Sequence, residues 1–156
     1  MLTFHFIEEV SIKRERAAIK GLNRPATVPE VFNNISIQKF AKDSLFWDPP
    51  RISPKIITKM GPLRFNIIGL TTQVTDGVYL IQLNNRYPLE TLRRTMFHEL
   101  VHVMQFERDM LIELHDRVFW EGQLSTWAVP WGDRPWEIHA EKLTDQLFVP
   151  TCEEDI

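Results

Sequence analysis

The chain has 156 residues and a net charge of −3, from 18 Lys+Arg against 21 Asp+Glu. That length suits one domain with one core, and 44% apolar with 25% charged residues excludes a disordered chain. The absence of a basic excess argues against nucleic acid as a partner, and a single cysteine, Cys152, excludes an internal disulfide framework.

The opening Met1–Phe6 lacks the basic region and long apolar run of a signal peptide, and no apolar run approaches the ~20 residues that span a bilayer. No membrane association is expected, and the expected location is the cytoplasm. From about Ile7 to Gly21 the spacing of Ile12 and Ile19 predicts a helix capped by Gly21, its Lys13, Arg14 and Arg16 forming a solvated face. Ile37, Phe40, Ala41, Ser44 and Leu45 predict an amphipathic helix that stops before Asp48-Pro49-Pro50. Residues 1–60 thus read as a helical N-terminal part of uncertain role.

The middle of the chain is β-like. Lys55–Thr58 and Phe65–Leu70 are rich in branched residues, and Asp76-Gly77 predicts a hairpin after which Val78–Leu83 returns antiparallel. Pro88 opens a helix, with Leu89, Leu92, Met96, Leu100 and Val103 as its apolar stripe to about Arg108. A short hairpin is expected around Glu121-Gly122. Asp133 reads as an N-cap with Pro135 in the first turn of a last helix, whose stripe is Trp136, Ala140, Leu143 and Leu147 and which Pro150 ends. The expected architecture is α+β, a single domain over 1–156 with a short, mainly antiparallel sheet.

The chemistry lies in His98-Glu99-Leu100-Val101-His102, an H-E-x-x-H motif inside the helix that Pro88 opens. Residues four apart share a helix face, ~5–6 Å between Cβ atoms, so two imidazoles can reach one metal ion. Glu99 stands beside that ion without binding it, placed to take a proton from a zinc-bound water. A catalytic zinc needs a third protein ligand, and Gln105 and Arg108 occupy the positions where the metzincin pattern has its Gly and third His. On the last helix Glu137 and Glu141 are four apart and share a face, whereas Glu137 and His139 stand about 200° apart, so these two cannot both reach one ion.

These residues resemble gluzincin metallopeptidases, in which a "glutamate helix" follows H-E-x-x-H. Across residues 75–148 the chain is similar to small phage-encoded metallopeptidases with H-E-x-x-H-x-x-Q, a W-x-G hairpin and a P-W-E-x-x-A helix; here these are His98–Gln105, Trp120-Glu121-Gly122 and Pro135–Ala140. The resemblance implies a zincin-like fold and a zinc endopeptidase: Zn²⁺ on His98, His102 and Glu137, Glu99 as catalytic base, and Glu141 as the partner of His98. It also implies a host-cytoplasm setting if the chain is phage-encoded.

The family's usual acid two residues after the ligand glutamate is His139 here, which leaves His139 open as the third ligand, as in SprT-like proteases. Gln105 reads equally as a partner of the ligands or as a plain polar residue. His139 and Arg134 are candidates to stabilise an oxyanion. Trp120, Trp127, Trp131 and Trp136 read as core, with a substrate pocket as the lesser alternative. The expected partner is a peptide or protein substrate, docking on Val78–Leu83 as an edge strand. Two other functions stay open: a zinc-binding interaction protein without turnover, and a DNA-linked SprT-like protease.

Overall fold

A computed structural model describes residues 2–6, 25–45 and 54–150. The expected helix over 7–21, most of the proline loop and the acidic tail lie outside the described residues. The architecture is α+β. A four-stranded sheet holds β1 (Leu2–Phe6), β2 (Lys55–Gly61), β3 (Ile67–Thr75) and β4 (Val78–Asn84), in the order β1-β3-β4-β2. Neighbours are antiparallel except β2 and β4, which run parallel, with Lys55 opposite Val78 and Gly61 opposite Asn84.

This order corrects two expectations. Val78–Leu83 is an interior strand with both sides taken by ladder hydrogen bonds, so no peptide can add to it; the outer strands are β1 and β2. The N-terminal part is also not wholly helical, because Leu2–Phe6 pairs with β3. As expected, β3 and β4 are joined at Asp76-Gly77, where Gly77 takes the left-handed conformation (φ +74°) that glycine adopts without steric cost.

α1 (Val28–Phe32) starts with a capping box in which Thr27 and Glu30 satisfy each other's backbone N–H groups. α2 (Ile35–Leu45) buries Ile37, Phe40, Ala41 and Leu45, the stripe expected from its spacing. α3 (Leu89–Glu107) is the centre of the molecule: every residue from Thr95 to Phe106 is buried. The sheet covers one side of it, through Tyr79, Ile81 and Leu83 of β4; α1 and α2 cover another, where the Phe40 and Phe97 rings meet at 4.8 Å. Pro88 precedes α3 as its N-cap, one position outside the first turn.

Beyond α3 a second sheet follows, β5 (Leu111–Leu114), β6 (Arg117–Trp120) and β7 (Gln123–Ser125). The expected turn at Glu121-Gly122 joins β6 to β7, with both residues at positive φ. β5 has no counterpart in the expected elements. Its turn uses His115 at φ +60° instead of a glycine, a signal that spacing alone does not carry.

α4 (Pro135–Leu147) lies against α3. Its N-cap is Arg134, not Asp133, because Trp131–Asp133 closes a 3₁₀ turn of its own. Its buried face is Trp136, Glu137, Ala140 and Thr144, whereas Leu147 is 50% exposed. The stripe is therefore rotated from the expected one toward Glu137.

Candidate metal centre

His98, Glu99 and His102 lie in the most deeply buried stretch of α3, and Glu137 faces them from the first turn of α4; all four are fully buried. The ligand-capable atoms of His98, Glu99 and His102 lie within 4.8 Å of one another, so this group can hold a metal ion. Glu137 comes closer still. Its Oε2 is 2.9 Å from His98 Nε2 and 3.2 Å from His102 Nε2, while the two Nε2 atoms are 3.0 Å apart. An ion bonded at ~2.0–2.1 Å to three tetrahedral donors needs about 3.3 Å between them. The triangle matches that face to within a few tenths of an ångström.

The protons show why a cation belongs there. Gln105 Nε2 donates to the carbonyl of Trp136 at 2.9 Å, which turns its Oε1 toward His102 Nδ1 at 2.8 Å. A carboxamide oxygen only accepts, so Nδ1 of His102 carries the proton and Nε2 presents a lone pair. Nδ1 of His98 stands 2.7 Å from Glu141 Oε1, at ion-pairing distance, and is likewise the protonated nitrogen. Two imidazole lone pairs and a carboxylate thus point at one spot inside the protein. Such a convergence requires a positive charge.

Without a metal a proton serves. Burial works against charge on His98, but hydrogen bonding to Glu137 and Glu141 overrides it and holds the imidazole up to about 10. His102 is also raised, its burial outweighed by the charge of Glu137. Burial of Glu137 is in turn overcome by the charge of His102 and the hydrogen bonds of both imidazoles, which hold its carboxyl well below the usual range. Glu99 differs. Burial pushes it up to about 7 against the pull of His102 and His98. A base poised near neutrality is what proton transfer at physiological pH requires.

Each candidate from the sequence now has a place. Glu137 joins His98 and His102. Glu141 backs His98, and Arg94 holds Glu141 Oε2 at 3.1 Å while reaching Asp145 at 2.6 Å. Gln105 is a buried hydrogen-bond partner of His102 and not merely a polar helix residue. His139 contacts Gln105, its Nδ1 2.8 Å from Gln105 Nε2; that second N–H makes Nδ1 an acceptor already engaged by the carboxamide. Arg134 donates to the carbonyls of Val129 and Trp127, a clamp on the loop before α4.

The tryptophans differ in burial. Trp136 is buried core against Trp127, with rings 5.1 Å apart. Trp131 stacks 6.4 Å from His98 and lines a groove of about 640 Å³ that Glu137, Ile138 and Asp145 also line. Two contributors escaped the sequence reading. Arg94 was legible in principle, four residues before His98; Thr71, whose hydroxyl meets Glu99, was not.

The fold and site together define an α+β domain with a buried His-Glu-His group able to hold a metal ion. No family model matches the chain, and neither a curated protein nor a solved structure matches it. Among the described residues no helix is long and apolar enough to cross a membrane.

Proposed function

We propose that this chain is a zincin-like, zinc-dependent endopeptidase. The observation that carries the reading is the convergence of His98 Nε2, His102 Nε2 and the Glu137 carboxylate on one point, with a second buried acid, Glu99, on the same helix as the two histidines. Two nitrogens and one carboxylate oxygen are the donor set of hydrolytic zinc sites, three protein ligands with a position left for solvent.

When bound, zinc supplies an acidified water and a polarised carbonyl. Glu99 would accept a proton from water and so make its oxygen the nucleophile toward the carbonyl carbon. Glu99 then delivers the proton to the departing amine nitrogen as the C–N bond breaks, leaving a carboxylate and an amine. Glu141 and Gln105 keep the two imidazoles in the tautomer that offers Nε2. On this reading an extended peptide approaches through the groove that Glu137 and Trp131 help to line. A purely structural ion needs no buried acid beside its ligands, which favours turnover over passive binding.

The test is cleavage of casein or a peptide library by zinc-loaded protein, blocked by a chelator. Glu99→Gln is expected to keep one zinc and lose about 10²–10⁴ of the rate. Absence of any cleavage, or full cleavage by the Glu99→Gln protein, contradicts the reading.

A further inference from the structure

The Glu99 carboxylate is not left to find its own orientation. Thr71, fully buried on β3, places its Oγ1 3.2 Å from Glu99 Oε1 and 3.5 Å from the Glu99 carbonyl. The hydroxyl has one proton to give, and the carboxylate is both the nearer and the more strongly accepting partner. Glu99 Oε2, by contrast, is buried with no hydrogen-bond partner among the described residues. The two oxygens are therefore inequivalent.

The contact depends on how closely β3 lies on α3. Two residues before Thr71, on the same face of the strand, is Gly69. A Cβ there would stand 2.7 Å from Thr95 Cγ2 and 3.2 Å from Leu83 Cδ2. Thr95 is one helical turn before Glu99. Gly69 against Thr95 and Thr71 against Glu99 are thus successive rungs: two strand residues advance about 6.7 Å and four helix residues about 6 Å, nearly in step. The glycine removes the one side chain that would hold the strand off, and the threonine then reaches the acid.

We propose that Thr71 is a positioning residue for Glu99: with β3 brought close at Gly69, it holds Oε1 and leaves Oε2 as the oxygen that takes and returns the proton. The proposal rests on the reading of Glu99 as the base. In the step, the O–H bond of water breaks and an O–H bond forms at Oε2; the same proton later passes to the amine nitrogen.

The test uses the full-length protein, loaded with zinc where zinc binds, as wild type, Thr71→Val and Thr71→Ser. Valine keeps the shape and removes the hydroxyl; serine keeps the hydroxyl. Crystal structures are expected to show one Glu99 rotamer in wild type and Thr71→Ser, and a turned or split carboxylate in Thr71→Val. On casein, Thr71→Val is expected to lower kcat about tenfold or more with KM and zinc content unchanged, and Thr71→Ser to restore it. An unmoved Glu99 in Thr71→Val, or an unchanged kcat beside an inactive Glu99→Gln, overturns the positioning role alone. A Glu99→Gln protein that still cleaves overturns the base itself, whatever Thr71 does.

Discussion

At the scale of single residues, the site is governed by a demand for positive charge. His98 is held between two carboxylates, Glu137 at 2.9 Å and Glu141 at 2.7 Å, and a proton or a metal ion can satisfy them. The two must compete. With His98 raised to about 10 in the metal-free protein, it is protonated at neutral pH, and a metal must displace that proton to use Nε2. The sign follows: fewer bound protons favour the ion, so zinc affinity rises with pH. Between pH 6 and 9 it is expected to strengthen by about tenfold per unit, with at least one proton released per ion, measured by calorimetry in buffers of different ionisation enthalpy. An affinity flat across that range contradicts the assignment of His98. The residues of this scale were largely legible: helical spacing puts His98 with His102 and Glu137 with Glu141 on shared faces, while the roles given to Glu137 and Glu141 came from the gluzincin resemblance, with His139 left open. Thr71 was not, because nothing local to a strand residue says which acid it will meet.

At the scale of elements, position follows from a few close approaches. α4 docks through Trp136, Glu137 and Ala140, and the Gln105 carboxamide bridges it to α3 at the Trp136 carbonyl. The periodicity of the last helix was readable, but its rotation was not: Leu143 packs at the edge of the core and Leu147 is exposed, while Glu137 and Thr144, a polar pair no hydrophobic stripe would select, are fully buried. β3 docks through Gly69. Gly69→Ala is expected to destabilise the protein by about 1–3 kcal/mol, as overpacking does, and Thr95→Ser, which deletes the methyl that the new Cβ meets, to recover part of that loss. Thermal or urea unfolding of the two single variants and the double variant measures the coupling. Strict additivity would show that β3 and α3 do not touch there. The hairpin at Asp76-Gly77 was legible because its signal is local; the neighbour on the far side of β4 was not. β2 pairs with it directly and in parallel, though β3 lies between them in the chain, and long-range pairing leaves no mark in the spacing of either segment.

At the scale of the whole molecule, two sheets and three other helices among the described residues pack around one almost wholly buried helix, and that helix bears the His98-Glu99-His102 group. This placement explains why ionisable groups survive in the core. Each is paired across an element boundary, His98 to α4, His102 through Gln105 to α4, and Glu99 to β3. An ion at the centre would therefore tie α3 to α4 as well as serve a reaction, and its removal would lower stability by mass action. The α+β class was readable from the alternation of β-like and helical segments, while the outer strand Leu2–Phe6 was too short to announce itself.

The most direct measurement is the metal content of purified protein together with X-ray absorption at the zinc edge. One tightly held zinc per chain is expected, with nitrogen and oxygen neighbours at ~2.0–2.1 Å including two imidazoles, and with that ion lost in His98→Ala and Glu137→Ala. A chain that binds no zinc, or binds it unchanged in both variants, would contradict the account.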